Sequence, residues 1–127
     1  MATTLYGASL GLWLVILSLR VIALRGGPGL GWLRFGHSGD DALPRAIRAQ
    51  GNLTEYAPMF VILMFVAESG GVSSFSLHYY GGTFLLGRLM HGVCMGFMSK
   101  SVFLRSGGTT LTLLALLGIS VLLLMQL

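Results

Sequence analysis

The residues best suited to chemistry form a polar stripe on one side of an otherwise apolar segment. The stripe consists of Arg45, Arg48, Asn52, Glu55 and Tyr56. On a helix, at about 100° per residue, these side chains fall within an arc of about 100°. Guanidinium groups bind carboxylates and other anions, often bidentately, so the stripe could hold an anionic ligand. We therefore predict a polar site on one face of this helix.

Two further polar residues, Arg88 and His91, interrupt a later apolar segment. Arg88 and Glu55 each lie about 15 Å from the same end of two predicted antiparallel helices, at 1.5 Å per residue, so they can meet. An unpaired charge at that depth is expensive, and we therefore predict an ion pair between them. His91 is predicted to share one face of its helix with Arg88 and three other residues, namely Gly81, Phe84 and Met95.

More positive charge surrounds this predicted pair than the single carboxylate of Glu55 can neutralise. A salt bridge that only fixes the helix register would account for Glu55 and Arg88. It would leave unexplained a further set on the same faces, namely Arg45, Arg48, Asn52, His91 and Arg105. This surplus implies an anionic guest, either a small molecule with carboxylates or an anionic lipid headgroup at the rim. For Arg45 and Arg105, close to the rim, snorkelling to the interface is an equal alternative.

The composition places the chain among integral membrane proteins. Of its 127 residues, 54% are hydrophobic and 9% are charged, whereas soluble domains carry about 25% charged residues. The mean hydropathy is +0.82. The cations are dispersed and are not interleaved with aromatic residues, which argues against a nucleic-acid partner. A single cysteine, Cys94, excludes a disulfide within the chain, and the scattered histidines indicate no metal site.

Four apolar segments predict one all-α domain over residues 1–127, a bundle of four transmembrane helices. The predicted helices span about residues 4–24, 45–68, 77–99 and 108–127. Each is close to the length of about 20 residues that a helix needs to cross the hydrocarbon layer. Glycine and proline break the chain after the first helix, and a short loop makes the second and third helices antiparallel neighbours. The last segment carries no charge and gives no indication of chemistry.

Basic residues are confined to two of the three predicted loops. The first loop region holds three arginines, the third holds Lys100 and Arg105, and the second has neither lysine nor arginine. By the positive-inside rule, we expect the first and third loops to be cytoplasmic. Arg20 lies on that same side, one turn before the end of the first helix. It is expected either to snorkel to the interface or to contact a ligand.

Four of the five stripe residues belong to a longer motif, Arg48-Ala-Gln-Gly-Asn52-x-x-Glu55-Tyr56-x-Pro58. This motif resembles the signature of the family of membrane-associated proteins in eicosanoid and glutathione metabolism (MAPEG). Two further patches are similar to that family's prostaglandin E synthase branch, namely Arg88-x-x-His91 and Arg105-Ser106. The resemblance covers nearly the whole chain. It implies a homotrimer of four-helix subunits that binds glutathione between neighbouring subunits.

The resemblance also implies roles for individual residues. Glutathione would be held by a set on the second and third helices, namely Arg48, Asn52, Glu55, Tyr56 and Arg88. Arg20 and Gln50 are further candidates, for a pocket shared with the next subunit. Three residues would act on the thiol or lie beside it, namely Arg105, Ser106 and His91. Met95 stands four residues after His91, where several family enzymes carry a tyrosine.

The activity implied by the resemblance is that of a glutathione-dependent transferase, peroxidase or isomerase acting on lipophilic electrophiles that arrive through the lipid. A nearby guanidinium favours the thiolate, which is the nucleophile. The alternative is a non-catalytic membrane protein that binds a lipid or an anionic metabolite. The family has such a non-enzymatic member, which lacks the arginine and glutamate that this chain keeps as Arg48 and Glu55. The expected location is the bacterial inner membrane or the endoplasmic reticulum.

Overall fold

The protein, described over residues 1–127 by a computed structural model, consists of four long helices and has no β-strand. The helices are α1 (Ala2–Leu24), α2 (Ala42–Ser69), α3 (Ser74–Phe97) and α4 (Val102–Leu124), and a 3-10 helix (Gly31–Arg34) lies between α1 and α2. The prediction of an all-helical fold with four helices is confirmed. By length and composition, α1 and α4 are apolar enough to cross a membrane.

The helices begin earlier than the apolar pattern predicts, most clearly in α4. The apolar run predicts a start at residue 108, but α4 begins at Val102. Ser101 caps it, because its Oγ accepts a hydrogen bond from the N–H of Leu104 at 3.3 Å. Ser73 caps α3 in the same way. A capping residue starts a helix even when the first turn is polar, and the earlier start places Arg105 on α4 instead of in a loop.

Glycines hold α3 close to its neighbours. A Cβ atom on Gly87 would lie 2.7 Å from the carbonyl oxygen of Gly108 on α4, and the reverse distance is also 2.7 Å. A Cβ on Gly92 would lie 2.6 Å from Nε1 of Trp13 on α1. Small residues let helix backbones approach closely, so α3 is packed tightly between α1 and α4.

The buried face of α3 carries both apolar and polar residues. The five residues predicted to share one face are all buried, namely Gly81, Phe84, Arg88, His91 and Met95. Phe84 stacks on Phe60 of α2, with ring centroids 3.9 Å apart. This aromatic contact packs α2 against α3, and the two polar members of the face then lie opposite the polar stripe of α2.

Arg20, near the end of α1, links the first loop to α3 through hydrogen bonds. Its side chain is 0% exposed. It donates to the carbonyl oxygen of Gly96 on α3 at 2.8 Å, and to those of Leu33, Phe35 and His37 in the loop at 2.5, 2.7 and 3.0 Å. A buried guanidinium requires such acceptors. Arg20 therefore does not snorkel to an interface, and the backbone occupies its donors.

Candidate functional site

A polar cleft lies between α2, α3 and α4. It has a volume of about 350 Å³ and is lined by two residues from each helix, namely Arg48, Asn52, His91, Met95, Arg105 and Thr109. We call it the inner cleft. It brings together four of the residues that the sequence singled out, from three separate segments of the chain. Its lining includes two guanidinium groups and no carboxylate, so the cleft suits an anion.

The lining follows from helix geometry. Each helix contributes two residues that are four positions apart, and such pairs lie one above the other on the same helix face. The polar stripe of α2 therefore reaches the cleft through Arg48 and Asn52. Both guanidinium groups of the cleft belong to exposed residues, Arg48 and Arg105. Neither guanidinium donates a hydrogen bond to an acceptor within the chain, so both remain available to a ligand.

Arg88 lies behind the inner cleft and is held by neutral partners. Its Nη1 donates to Oδ1 of Asn52, and its Nε donates to Oγ1 of Thr112 at 2.8 Å. The side chain is 2% exposed. Its Cζ lies 5.4 Å from the ring centroid of Tyr56, within the range of a cation–π contact. Asn52 is thereby fixed in place, with its amide group between Arg88 and the cleft.

The predicted ion pair between Glu55 and Arg88 is wrong. The ion pairs of the chain join the N-terminal ammonium to Glu68 and His37 to Asp41. Glu55 is exposed. Asn52, three residues earlier on α2, takes the position that was expected for Glu55 beside Arg88. The Nη2 of Arg88 is buried without an acceptor, and such a donor costs about 1–3 kcal/mol if nothing satisfies it.

The structure does not bring all of the predicted residues to the inner cleft. Tyr56 is half-buried against Arg88, whereas Glu55 and Ser106 are exposed outside the lining. The Nε2 of Gln50 donates to Oγ of Ser18 on α1 at 3.0 Å. Arg20 is tied to the first loop, as described above. Within a single chain, these residues therefore do not share one pocket with Arg48.

Two threonines of α4 were missed by reasoning from the sequence. Thr109 lines the inner cleft, and Thr112 holds Arg88. The fourth segment gave no indication of chemistry because its polar residues are uncharged. Their spacing was nevertheless informative, since Arg105, Thr109 and Thr112 follow the i, i+4, i+7 pattern of one helix face.

Outside the membrane-spanning segments, Asp41 stands at the start of α2 without capping it. Its side chain makes no capping hydrogen bond. Its Oδ1 instead lies 2.5 Å from Nε2 of His37. This hydrogen bond is the largest cause of the lowered pKa of Asp41; desolvation, next in size, opposes it, and the charge of His37 adds to the lowering. The contact links the first loop to α2 at the end of the bundle where the inner cleft lies.

These features define a helical membrane protein with a cationic cleft among its helices. Residues 3–125 match the model of the MAPEG family, and the chain belongs to that family. A curated relative, the inner membrane protein YecN of Escherichia coli K12, is 34% identical over 117 residues, which cover 92% of this chain and 86% of the relative. The inner membrane protein YecN of Escherichia coli O6:H1 gives the same values. No solved structure shows significant similarity to the chain.

Proposed function

We propose that this protein is a membrane transferase that joins the thiol of glutathione to lipophilic electrophiles. The observation that carries the proposal is the inner cleft itself, where Arg48, Asn52, His91 and Arg105 meet inside an apolar bundle. Membership of the MAPEG family supports it, since the family includes glutathione transferases. A cationic cavity in a membrane protein needs an anionic occupant to offset the cost of its charges.

The donors around the cleft fit the chemistry of glutathione, which carries two carboxylates, an ammonium group and a thiol. Arg48 and Arg105 can each bind a carboxylate or stabilise an anionic sulfur, and Asn52 offers an amide. Glu55 lies outside the lining of a single chain and forms no ion pair there, so in an assembly of subunits its carboxylate can accept hydrogen bonds from the ammonium group. The volume of about 350 Å³ lies in the range of about 300–1,000 Å³ that is usual for small-molecule sites.

The residues of the cleft divide between binding and activation. Bound glutathione supplies a thiol, and Arg105 favours its ionised form by placing a positive charge beside it. Arg105 does not carry the proton, because a guanidinium stays charged. His91 also lines the cleft, and its imidazole can donate or accept a hydrogen bond there. Ser106 follows Arg105 on α4 and is exposed outside the lining, and we propose that it lies beside the thiol.

We further propose that the chain assembles as a homotrimer whose subunits complete the site. Several binding candidates lie outside the cleft of a single chain, and Glu55 is exposed on α2. Large apolar side chains are also exposed on α1 and α2, for example Leu12 at 68% and Phe65 at 63%, and these can face lipid or a second copy. All four helices would span the inner membrane, with the basic first and third loops in the cytoplasm.

Purified protein in detergent provides the test. We expect glutathione and its S-hexyl analogue to raise the Tm in a saturable way, and we expect turnover of glutathione with chlorodinitrobenzene. Arg48→Gln should lose the thermal shift because it removes a cation from the cleft, whereas the matched Arg25→Gln, at an exposed loop position, should keep it. The proposal would be refuted if the wild-type protein showed no thermal shift with glutathione and no turnover of the electrophile.

One observation favours a second candidate function, a non-catalytic protein that binds an anionic metabolite or lipid. Met95 lines the inner cleft at the position where several family enzymes carry a tyrosine, so the cleft lacks that hydroxyl. This candidate predicts a thermal shift with glutathione or with an acidic lipid but no turnover of any electrophile. The two assays together therefore separate the two functions.

A further inference from the structure

A second cleft lies beyond the inner cleft, where α3 ends and α4 begins. It has a volume of about 240 Å³ and is lined by Arg45, Cys94, Lys100, Ser101, Val102 and Arg105. We call it the rim cleft. Half of its lining residues are cations and none is acidic. Arg105 lines both clefts, so the two adjoin, but Arg45 and Lys100 belong to the rim cleft alone.

Arg45 is fixed in position by one terminal nitrogen of its guanidinium and keeps the other terminal nitrogen accessible. Its Nη2 donates to the carbonyl oxygens of Cys94 at 3.0 Å and Met98 at 3.2 Å, which anchors the side chain of α2 to the end of α3. Its Nε is buried and has no acceptor within the chain. Asp41, which acts electrostatically on Arg45, is hydrogen-bonded to His37. The Nη1 group of Arg45 makes no hydrogen bond within the chain and is not buried, so an acceptor in the rim cleft can reach it.

The start of α4 adds further donors to the rim cleft. The first N–H groups of an α-helix have no partner within the helix, and its dipole places partial positive charge at that end. Ser101 caps this helix, which runs for 23 residues, and its hydroxyl accepts from the N–H of Leu104 while its own proton remains free to be donated. Helix N-termini with nearby cations are favourable sites for phosphate groups.

The surroundings of the rim cleft match the boundary between lipid tails and headgroups. Val102 and Phe103, directly after the cleft's Lys100 and Ser101, are 73% and 77% exposed. Exposed apolar side chains can enter the lipid, while neighbouring lysines and arginines attract anionic headgroups. A cleft of this size lies below the range for drug-sized ligands and suits a single small anionic group.

We propose that the rim cleft binds the phosphate group of an anionic phospholipid. Arg45, Lys100 and the start of α4 form this site, and Arg105 is shared with the inner cleft. The two sites adjoin and can still be tested apart, because Lys100 lines the rim cleft and not the inner cleft. The bound lipid would hold the junction between α3 and α4 in place. Arg105 lies just after this junction, so its position in the inner cleft would be held as well.

The test uses thermal shifts of the purified full-length protein in a neutral detergent. The probes are dihexanoyl phosphatidylglycerol, dihexanoyl phosphatidylcholine and inorganic phosphate. We expect the phosphatidylglycerol to raise the Tm more than either other probe does. In Lys100→Gln the concentration for half-maximal shift should rise about fivefold. Lys100→Arg and the matched loop variant Arg25→Gln should respond like the wild-type protein, and all variants should keep their shift with glutathione.

Three results would overturn the proposal. Equal responses to phosphatidylglycerol and phosphatidylcholine would mean that the phosphate charge is not recognised. An equal response to inorganic phosphate would assign the site to a free anion instead of a membrane lipid. An unchanged response in Lys100→Gln would place the lipid elsewhere on the protein. Because glutathione is titrated in parallel, each result is distinguishable from a failure of the proposed transferase function.

Discussion

The arginine at the end of α1 and the arginines of the inner cleft have opposite surroundings. Arg20 is 0% exposed and donates to four backbone carbonyl oxygens. Arg48 and Arg105 are exposed, and they line a cleft that contains no carboxylate. The first arrangement satisfies a charge within the protein, whereas the second leaves charge available to a ligand. Burial and hydrogen bonding thus separate a structural arginine from candidate binding arginines, although the sequence shows the same residue type.

Arg88 is intermediate between these two cases. It is nearly as buried as Arg20, but Asn52 and Thr112 satisfy only part of its guanidinium, and its Nη2 has no acceptor. Arg88 therefore supports the inner cleft from behind and retains one donor. We therefore expect that replacing Arg20 lowers the stability of the fold. Replacing an arginine of the inner cleft should instead lower binding or activity and leave the stability unchanged.

The largest effect is expected for Arg20→Met. The substitution keeps most of the apolar stem but removes the donor to four buried or partly buried carbonyls, at about 1–3 kcal/mol for each group left unsatisfied. Thermal unfolding in detergent should show a clear fall in Tm, and the first loop should become more sensitive to proteolysis. Arg25→Met, at an exposed position, is the matched control, and an equally small change in both variants would contradict the structural role of Arg20.

The next effect is expected for Arg105→Gln. If Arg105 stabilises the thiolate, its loss should lower kcat/KM for the conjugation of an electrophile about 100-fold, as for the loss of one donor to a developing anion. Arg105 is exposed, so the Tm without ligand should stay close to that of the wild-type protein. Activity within a factor of about three of the wild type would remove Arg105 from the catalytic machinery.

The sequence predicted the helices better than it predicted the site. Apolar runs of about 20 residues identify four helices, but they place the start of α4 too late because Ser101 and the polar first turn break the apolar pattern. Helical spacing correctly groups the buried face of α3. The pairing of Glu55 with Arg88 was wrong because depth along a helix does not fix rotation about its axis. Asn52, one turn away, reaches Arg88 instead.

The smallest effect concerns the pH dependence of the contact between His37 and Asp41. The pKa of Asp41 is lowered in the folded protein, so the unfolded chain binds its proton more readily. The contact therefore stabilises the fold above the unfolded pKa, near pH 3.9, and this contribution is lost as the pH falls through the folded pKa. The Tm of Asp41→Asn should consequently fall less steeply in acid than that of the wild-type protein, and identical profiles would show that the contact has no effect on stability.

In the proposed function, the inner cleft binds an anionic thiol peptide through cations that the fold leaves free. Calorimetric titration of glutathione into the wild-type protein and Arg48→Gln, both in lipid nanodiscs, tests it most directly. We expect saturable binding to the wild-type protein and binding at least about tenfold weaker to Arg48→Gln, the size expected for loss of one charge-assisted hydrogen bond. The Tm of the two proteins without ligand should agree. No binding to the wild-type protein, or equal binding to both, would show that Arg48 of the inner cleft does not bind glutathione.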